Sequence, residues 1–178
     1  ESAAIALANR REELLSELRQ LVQEELERLS GARVTDSSSA LAQGISLLGV
    51  FRDRDAVPLL CRCVALRAVS NKPNAMDNPP SVAKDPYSRM KRSAGEYADA
   101  EFPAVLALAE IGPESRLQIA ASFRKYYEAG DRDATTACLW ALIRVSREGA
   151  LFDVSHVLAE HLRGRNRGRA QELLDEAR

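Results

Sequence analysis

Aromatic residues are scarce in this chain of 178 residues, with one Trp, four Tyr and four Phe. Glycine is scarce as well, at nine residues. Sheets draw on aromatic and β-branched side chains and on glycine-rich turns, so this shortage beside abundant Leu and Ala argues for an all-α fold. No apolar run approaches the roughly 20 residues that a membrane-spanning helix needs. Charge of one sign is lacking too. With 25 basic and 26 acidic residues the net charge is −1, which removes the bulk polycation and the bulk polyanion as descriptions. Only four of the basic residues are Lys, and the other 21 are Arg, a bias that reads as GC-rich coding rather than phosphate recognition.

Catalytic and cofactor signatures are missing. There is no GxxxxGK[ST] phosphate loop, no GxGxxG and no GxSxG. The only histidines, His156 and His161, lie five apart, about 140° around a helix, and cannot grip one metal as an i, i+4 pair does. Asp53/Asp55 and Asp131/Asp133 lack the continuation of a calcium loop and stand where helices need caps. Cys61, Cys63 and Cys138 are odd in number and lack CxxC spacing. Two residues apart on one helix, Cys61 and Cys63 point about 200° apart and cannot bridge. They read as small core residues of a reducing, cytoplasmic compartment. The chain begins at Glu1 without Met, which points to processing or trimming and leaves export after signal cleavage open. No metal and no cofactor is expected.

What is present is helical periodicity. Residues 1–30 place Leu7, Leu14, Leu15, Leu18, Val22, Leu26 and Leu29 at spacings of three and four, opposite a face rich in Glu and Arg. The stripe widens at Leu14-Leu15 and Leu21-Val22, which departs from a strict heptad and favours a capping helix over a coiled-coil arm. Asp36 or one of Ser37 to Ser39 should cap the next helix. A hairpin of two helices follows over 39–52 and 56–69, turning at Arg52-Asp53-Arg54-Asp55, with Asp55 as N-cap and Pro58 in the first turn. Residues 70–93 hold four prolines and break the pattern. Ser93 to Glu96 fits a capping box, and Pro103 requires the helix there to kink or to restart near Phe102. Gly112-Pro113 stops that helix, and Ser115 to Gln118 fits a second capping box opening a helix that ends at Gly130. Asp131 to Asp133 caps a helix over 134–146. Arg147 to Gly149 is the next turn, 150–162 the next helix, 163–168 a basic hinge, and 170–177 a short final helix.

Aligning the junctions shows a repeat. LLGVFRDRDAVPLLCRCVAL, ALAEIGPESRLQIAASFRKYY and ALIRVSREGALFDVSHVLAEHL each read helix, turn, helix. The carrying residues are Leu48-Gly49, the Asp53/Asp55 turn and Ala56-Val57-Pro58-Leu59 in the first copy, and the apolar skeleton in the other two. Over about residues 39–162 the chain resembles an α-solenoid of the HEAT-repeat, armadillo-like type. The resemblance implies one domain over 1–178, a right-handed α-α superhelix of about three helical hairpins behind an N-terminal capping helix. Its blocks are 1–30, repeats at 39–69, 94–129 and 133–162, an insertion at 70–93, and a terminal helix at 169–178.

Such folds imply binding rather than catalysis: a non-enzymatic scaffold or adaptor that holds a protein or peptide on its second helices. On that basis the expected contacts are Arg62, Arg67, Arg124, Tyr127 and His156. Two alternatives stand beside it. Nucleic acid or another polyanion would use Arg163, Arg165, Arg167 and Arg169, with Arg89 to Arg92, and self-assembly would use the N-terminal helix.

Overall fold

A computed structural model of the chain describes residues 2–30, 36–68, 102–159 and 167–177. The all-α class is what the chain adopts. The helices are α1 (Ser2–Ser30), α2 (Ser39–Val50), α3 (Val57–Arg62), α4 (Pro103–Ile111), α5 (Arg116–Ala129), α6 (Arg132–Val145), α7 (Arg147–Leu158) and α8 (Arg167–Ala177). The described strands are two-residue pieces, β1 (Asp36–Ser37) and β2 (Arg67–Ala68), paired in parallel.

The helices contact one another in two rows. In one, α1 packs on α2, α2 on α4, α4 on α6 and α6 on α8; in the other, α3 packs on α5 and α5 on α7. The α2–α4 contact is the most extensive among the described residues, and glycine makes it possible. A Cβ built on Gly49 would lie 2.5 Å from the Cα of Ala107, a backbone atom that cannot step aside. Ala104 and Ala107 present small, buried side chains from α4. On its other flank α2 meets α1, where a Cβ on Gly44 would meet side chains rather than backbone, Val22 at 2.8 Å and Leu18 and Leu21 at 3.7 Å. The core runs through both rows, from Val22, Leu41, Ile45 and Leu48 through Leu60, Leu108, Ile119 and Phe123 to Leu139, Leu142, Leu158 and Leu173.

Helix ends follow the sequence closely in most places. Ser38 caps α2, its hydroxyl accepting from the Leu41 N–H at 3.2 Å. Pro103 opens α4 in its first turn, with Phe102 before it, and the Ser93 to Glu96 box lies outside the described residues. Gly112, at φ +89, ends α4 in a backbone conformation that disfavours any residue with a Cβ. Asp131 caps α6, accepting from the Ala134 N–H at 3.0 Å.

Four local expectations are corrected. Ser115 is not an N-cap. Gly112-Pro113 leads into a 3-10 turn that runs straight into α5, so Ser115 is already helical and buried. Its hydroxyl donates backwards to the carbonyl of Gly112 at 2.7 Å, with that of Leu108 at 3.1 Å, satisfying the end of α4 instead. The turn expected over Arg147 to Gly149 is the first turn of α7, because Ser146 alone both ends α6 and caps α7 through the Gly149 N–H. The helix expected over 56–69 is α3 and stops at Arg62, since the chain turns at the buried Cys63 and Val64 and then pairs Arg67 and Ala68 with β1. Arg167 and Gly168 belong to α8 rather than to a hinge. Arg169 anchors that end, donating to the Thr135 hydroxyl at 3.2 Å and lying 4.9 Å over the Tyr127 ring.

The α2–α4 crossing generates a prediction. Gly49→Ala gains about 1 kcal/mol of helix propensity but forces the two backbones apart, a clash worth roughly 3 kcal/mol or more. Urea denaturation is expected to show a net loss of about 2 kcal/mol for Gly49→Ala and little change for Gly44→Ala. Equal effects would show that the crossing is not backbone-limited.

Candidate functional site

The α2–α3 junction holds α1 in place. At the end of α2 the Arg52 N–H donates to the Gly49 carbonyl (2.8 Å) and the Asp53 N–H to the Leu48 carbonyl (3.0 Å), a Schellman ending with Arg52 left-handed at φ 53. Asp53 then caps the following 3-10 turn, accepting from the Asp55 N–H at 3.2 Å. This corrects the assignment of the cap to Asp55, which is exposed. The 3-10 turn over Arg54–Ala56 moves the start of the helical segment two residues upstream of the place that Pro58 implies.

Asp53 is only 5% exposed, and its charge is answered from α1. One Arg19 nitrogen, Nη1, donates to both Asp53 oxygens at 2.9 and 3.0 Å, and the other, Nη2, donates to Glu12 at 2.6 Å. A second tie lies one helical face away. The Arg11 guanidinium donates at 2.7 Å to the carbonyl of Phe51, at the C-terminal end of α2 where a cation is favoured.

Between these ties α1 and α2 leave an open apolar groove of about 470 Å³. Leu14, Leu15 and Leu18 of α1 face Leu47 and Phe51 across it, and its charged lining residues are Arg10 and Arg11. Leu14 is 55% exposed and Phe51 45%, with Val50 and Leu21 exposed nearby on the same two helices. Each leucine doublet explains its own half. Leu15 and Val22 are buried against α2 while Leu14 and Leu21 face outward, and Leu48 is buried while Leu47 is exposed. The widened stripe was thus a signal of more apolar surface than one helix contact consumes. What it did not show is that Leu14 and Leu47 meet across one groove.

The expected contact residues are not gathered there. Arg62 lines a separate, more polar groove of about 400 Å³ between α1 and α3, with Arg19, Gln20 and Gln23, and donates to Gln23 at 2.7 Å. Arg67 sits in β2 with its guanidinium 5.5 Å over the Phe102 ring. Arg124 is exposed on α5, paired with Glu128 at 3.1 Å, and His156 is exposed on α7. Tyr127 is corrected from surface contact to core. It is 4% exposed, stacked near Phe123 and covered by Arg169. Its position four residues after Phe123 puts it on the buried face of α5. Arg169 is likewise engaged with Tyr127 and Thr135 rather than presented in a row for phosphate. Arg163, Arg165 and His161 lie outside the described residues, as does the side chain of Arg167.

The cysteines are free and buried. Burial raises all three thiols, Cys63 to about 12, so they stay protonated and are poor nucleophiles. Tyr126, half-buried on α5, donates its hydroxyl to the Cys61 carbonyl at 3.1 Å, and burial first, then neighbouring Cys138, pushes its ionisation to about 12. Among the described residues no group of three His, Cys, Asp or Glu side chains is placed to hold a metal ion, and no helix is long and apolar enough to cross a membrane.

Two predictions follow from these contacts. Asp53→Ala removes a cap and half of a largely buried ion pair, and is expected to cost about 2–3 kcal/mol in urea denaturation. Asp131→Ala removes a cap alone and is expected to cost about 1 kcal/mol, while Asp53→Asn, which can still cap, falls between. Equal costs for the two alanine variants would mean the Arg19 pairing contributes nothing. Tyr126 gives a pH dependence. An unfolded tyrosine ionises near 10 and the folded one near 12, so its contribution is complete below pH 10 and is lost as pH rises through 12. Stability of the parent chain should therefore fall more steeply between pH 10 and 12 than that of Tyr126→Phe; parallel curves would refute the assignment.

Comparison with protein-family models, with curated proteins and with solved structures finds no match to this chain.

Proposed function

We propose that this chain is a non-enzymatic helical binding module whose α1–α2 groove takes a segment of a partner protein. The observation that carries this reading is the groove itself: five large apolar side chains on two tied helices line it, and Leu14, Leu47 and Phe51 among them are exposed to water. An uncovered apolar surface of this kind is costly in water and marks interaction sites on soluble chains. What supports a HEAT-like arrangement is the two rows of helix contacts and the packing of α6 on α7; α2 with α3 and α4 with α5 are not among the extensive contacts. Ion pairs join successive segments: Arg54 after α2 pairs with Glu114 after α4, and Arg116 at the start of α5 pairs with Asp153 within α7 at 2.8 Å. Scaffolding by α1 and α2 rather than by the second helices is a departure from what the resemblance implies. The polyanion reading loses Arg169 to its contacts within the fold.

The test is site-specific crosslinking in native lysate after nuclease treatment, with a photoreactive amino acid at Leu47 and, in parallel, at Arg62 and at Arg124. A protein adduct at Leu47 that disappears in Leu14→Asp is expected. Leu14 is exposed, so that change should leave stability within about 1 kcal/mol. Adducts only at Arg62 or Arg124 would move the surface to the second helices, and adducts at none of the three would end the reading.

A further inference from the structure

The groove has a charge signature that narrows its occupant. Its charged lining groups are arginines, with no carboxylate among them. Arg11 is tethered to the Phe51 carbonyl, whereas Arg10 is exposed and has no ion-pair or hydrogen-bond partner among the described residues. Arg52 adds a third cation immediately after the groove residue Phe51. It too is exposed, and its side chain has no partner among the described residues.

The backbone at Arg52 shows that its side chain is not there for the turn. The α5–α6 junction repeats the same hydrogen bonds, Gly130 N–H to the Tyr127 carbonyl (3.1 Å) and Asp131 N–H to the Tyr126 carbonyl (3.0 Å), with an Asp cap next in line. There the left-handed position is glycine, at φ 77. A residue with a Cβ in that conformation costs about 1 kcal/mol relative to glycine. At Arg52 the chain carries that strain with an exposed arginine next in sequence to Phe51 of the groove.

From these observations we infer that the groove takes an amphipathic helix of a partner protein, with apolar residues on one stripe and Asp or Glu residues flanking it to meet Arg10 and Arg52. Two near-neighbour helices lined with leucines accept a third helix through anchors at i, i+3 or i+4, and i+7. Arginine pairs with carboxylates in forked geometry, and rim charges of one sign select the register of the occupant. This inference rests on the binding reading above and specifies its partner.

The experiment is selection of a displayed library of 16-residue helical peptides against the whole chain, followed by fluorescence anisotropy of the enriched peptide. Enriched peptides are expected to combine a helical apolar stripe with flanking Asp or Glu. Affinity should fall about tenfold or more in Phe51→Asp and in the independent α1 variant Leu14→Asp, each checked for native circular dichroism. Arg10→Glu should weaken binding about three- to tenfold, with recovery by a peptide whose acids are changed to Lys. Arg52→Gly should raise the unfolding midpoint yet weaken the peptide, a combination that a purely structural arginine would not give. Enriched peptides without acidic residues, or full affinity in Arg10→Glu and Arg52→Gly, would overturn the acidic-helix inference and leave the groove as a binding site. No enrichment, or enriched peptides indifferent to both Phe51→Asp and Leu14→Asp, would overturn both. So would a dimeric mass at 100 μM, on the order of ordinary assay concentrations, that either variant converts to monomer, since a second copy would then fill the groove.

Discussion

One buried carboxylate holds the α1–α2 end of this molecule together. Asp53 caps the start of the 3-10 turn after α2, and the same carboxylate takes the Arg19 guanidinium of α1. The two roles are interdependent. A buried charge without a partner is costly, and a capping carboxylate aimed into the junction is fixed in direction by the turn it caps. The long helix is therefore referred to the end of α2 rather than resting loosely on its side. Arg11 repeats the arrangement from the opposite side, at the Phe51 carbonyl. With both ties in place, Leu14 and Leu18 stand at a set distance from Leu47 and Phe51, and a groove results instead of a collapsed contact.

The remainder of the fold supplies a rigid platform behind that groove. α2 cannot shift toward α1 or away from α4 without loss, because Gly49 lies against the Ala107 backbone. Further along, the ion pair of Arg116 with Asp153 joins α5 to α7 across Gly149, whose missing side chain leaves room for the guanidinium. Trp140 closes the far end, its indole N–H donating to Glu176 of α8 at 2.8 Å while its ring meets Phe102 edge-on. Each of these contacts uses a polar or small residue to set a helix position that apolar packing alone leaves free to slide. In a stack of short helices that difference matters, since leucine-on-leucine faces tolerate several registers.

Much of this was legible before any coordinates. The all-α class follows from composition, and the apolar spacing places the helices. Ser38, Pro103, Gly112, Gly130 and Asp131 act at the helix ends where local chemistry puts them. Where local reasoning went astray, tertiary contacts had outbid it. Ser115 matches a capping box, but continuity of the 3-10 turn with α5 turns its hydroxyl toward α4. Tyr127 stands next to Tyr126, and only the packing of α5 in the fold decides which of the two is buried, with Tyr127 beside Phe123 and under Arg169. The candidate site was half legible. Its leucine doublets are visible in the sequence, but the contact residues chosen from the HEAT resemblance lie on other faces.

The sequence by itself determined the helices, some of their ends and the surplus of apolar surface on α1 and α2, because periodicity and capping act over a few residues. Tertiary structure alone decided that the surplus forms one groove, that Arg19 answers Asp53, and that Arg10 and Arg11 line that groove. Those pairings join residues 30 to 40 positions apart, a separation at which spacing along the chain carries no information about distance. They depend instead on the close α2–α4 crossing and on the direction that a single capped turn gives to α1.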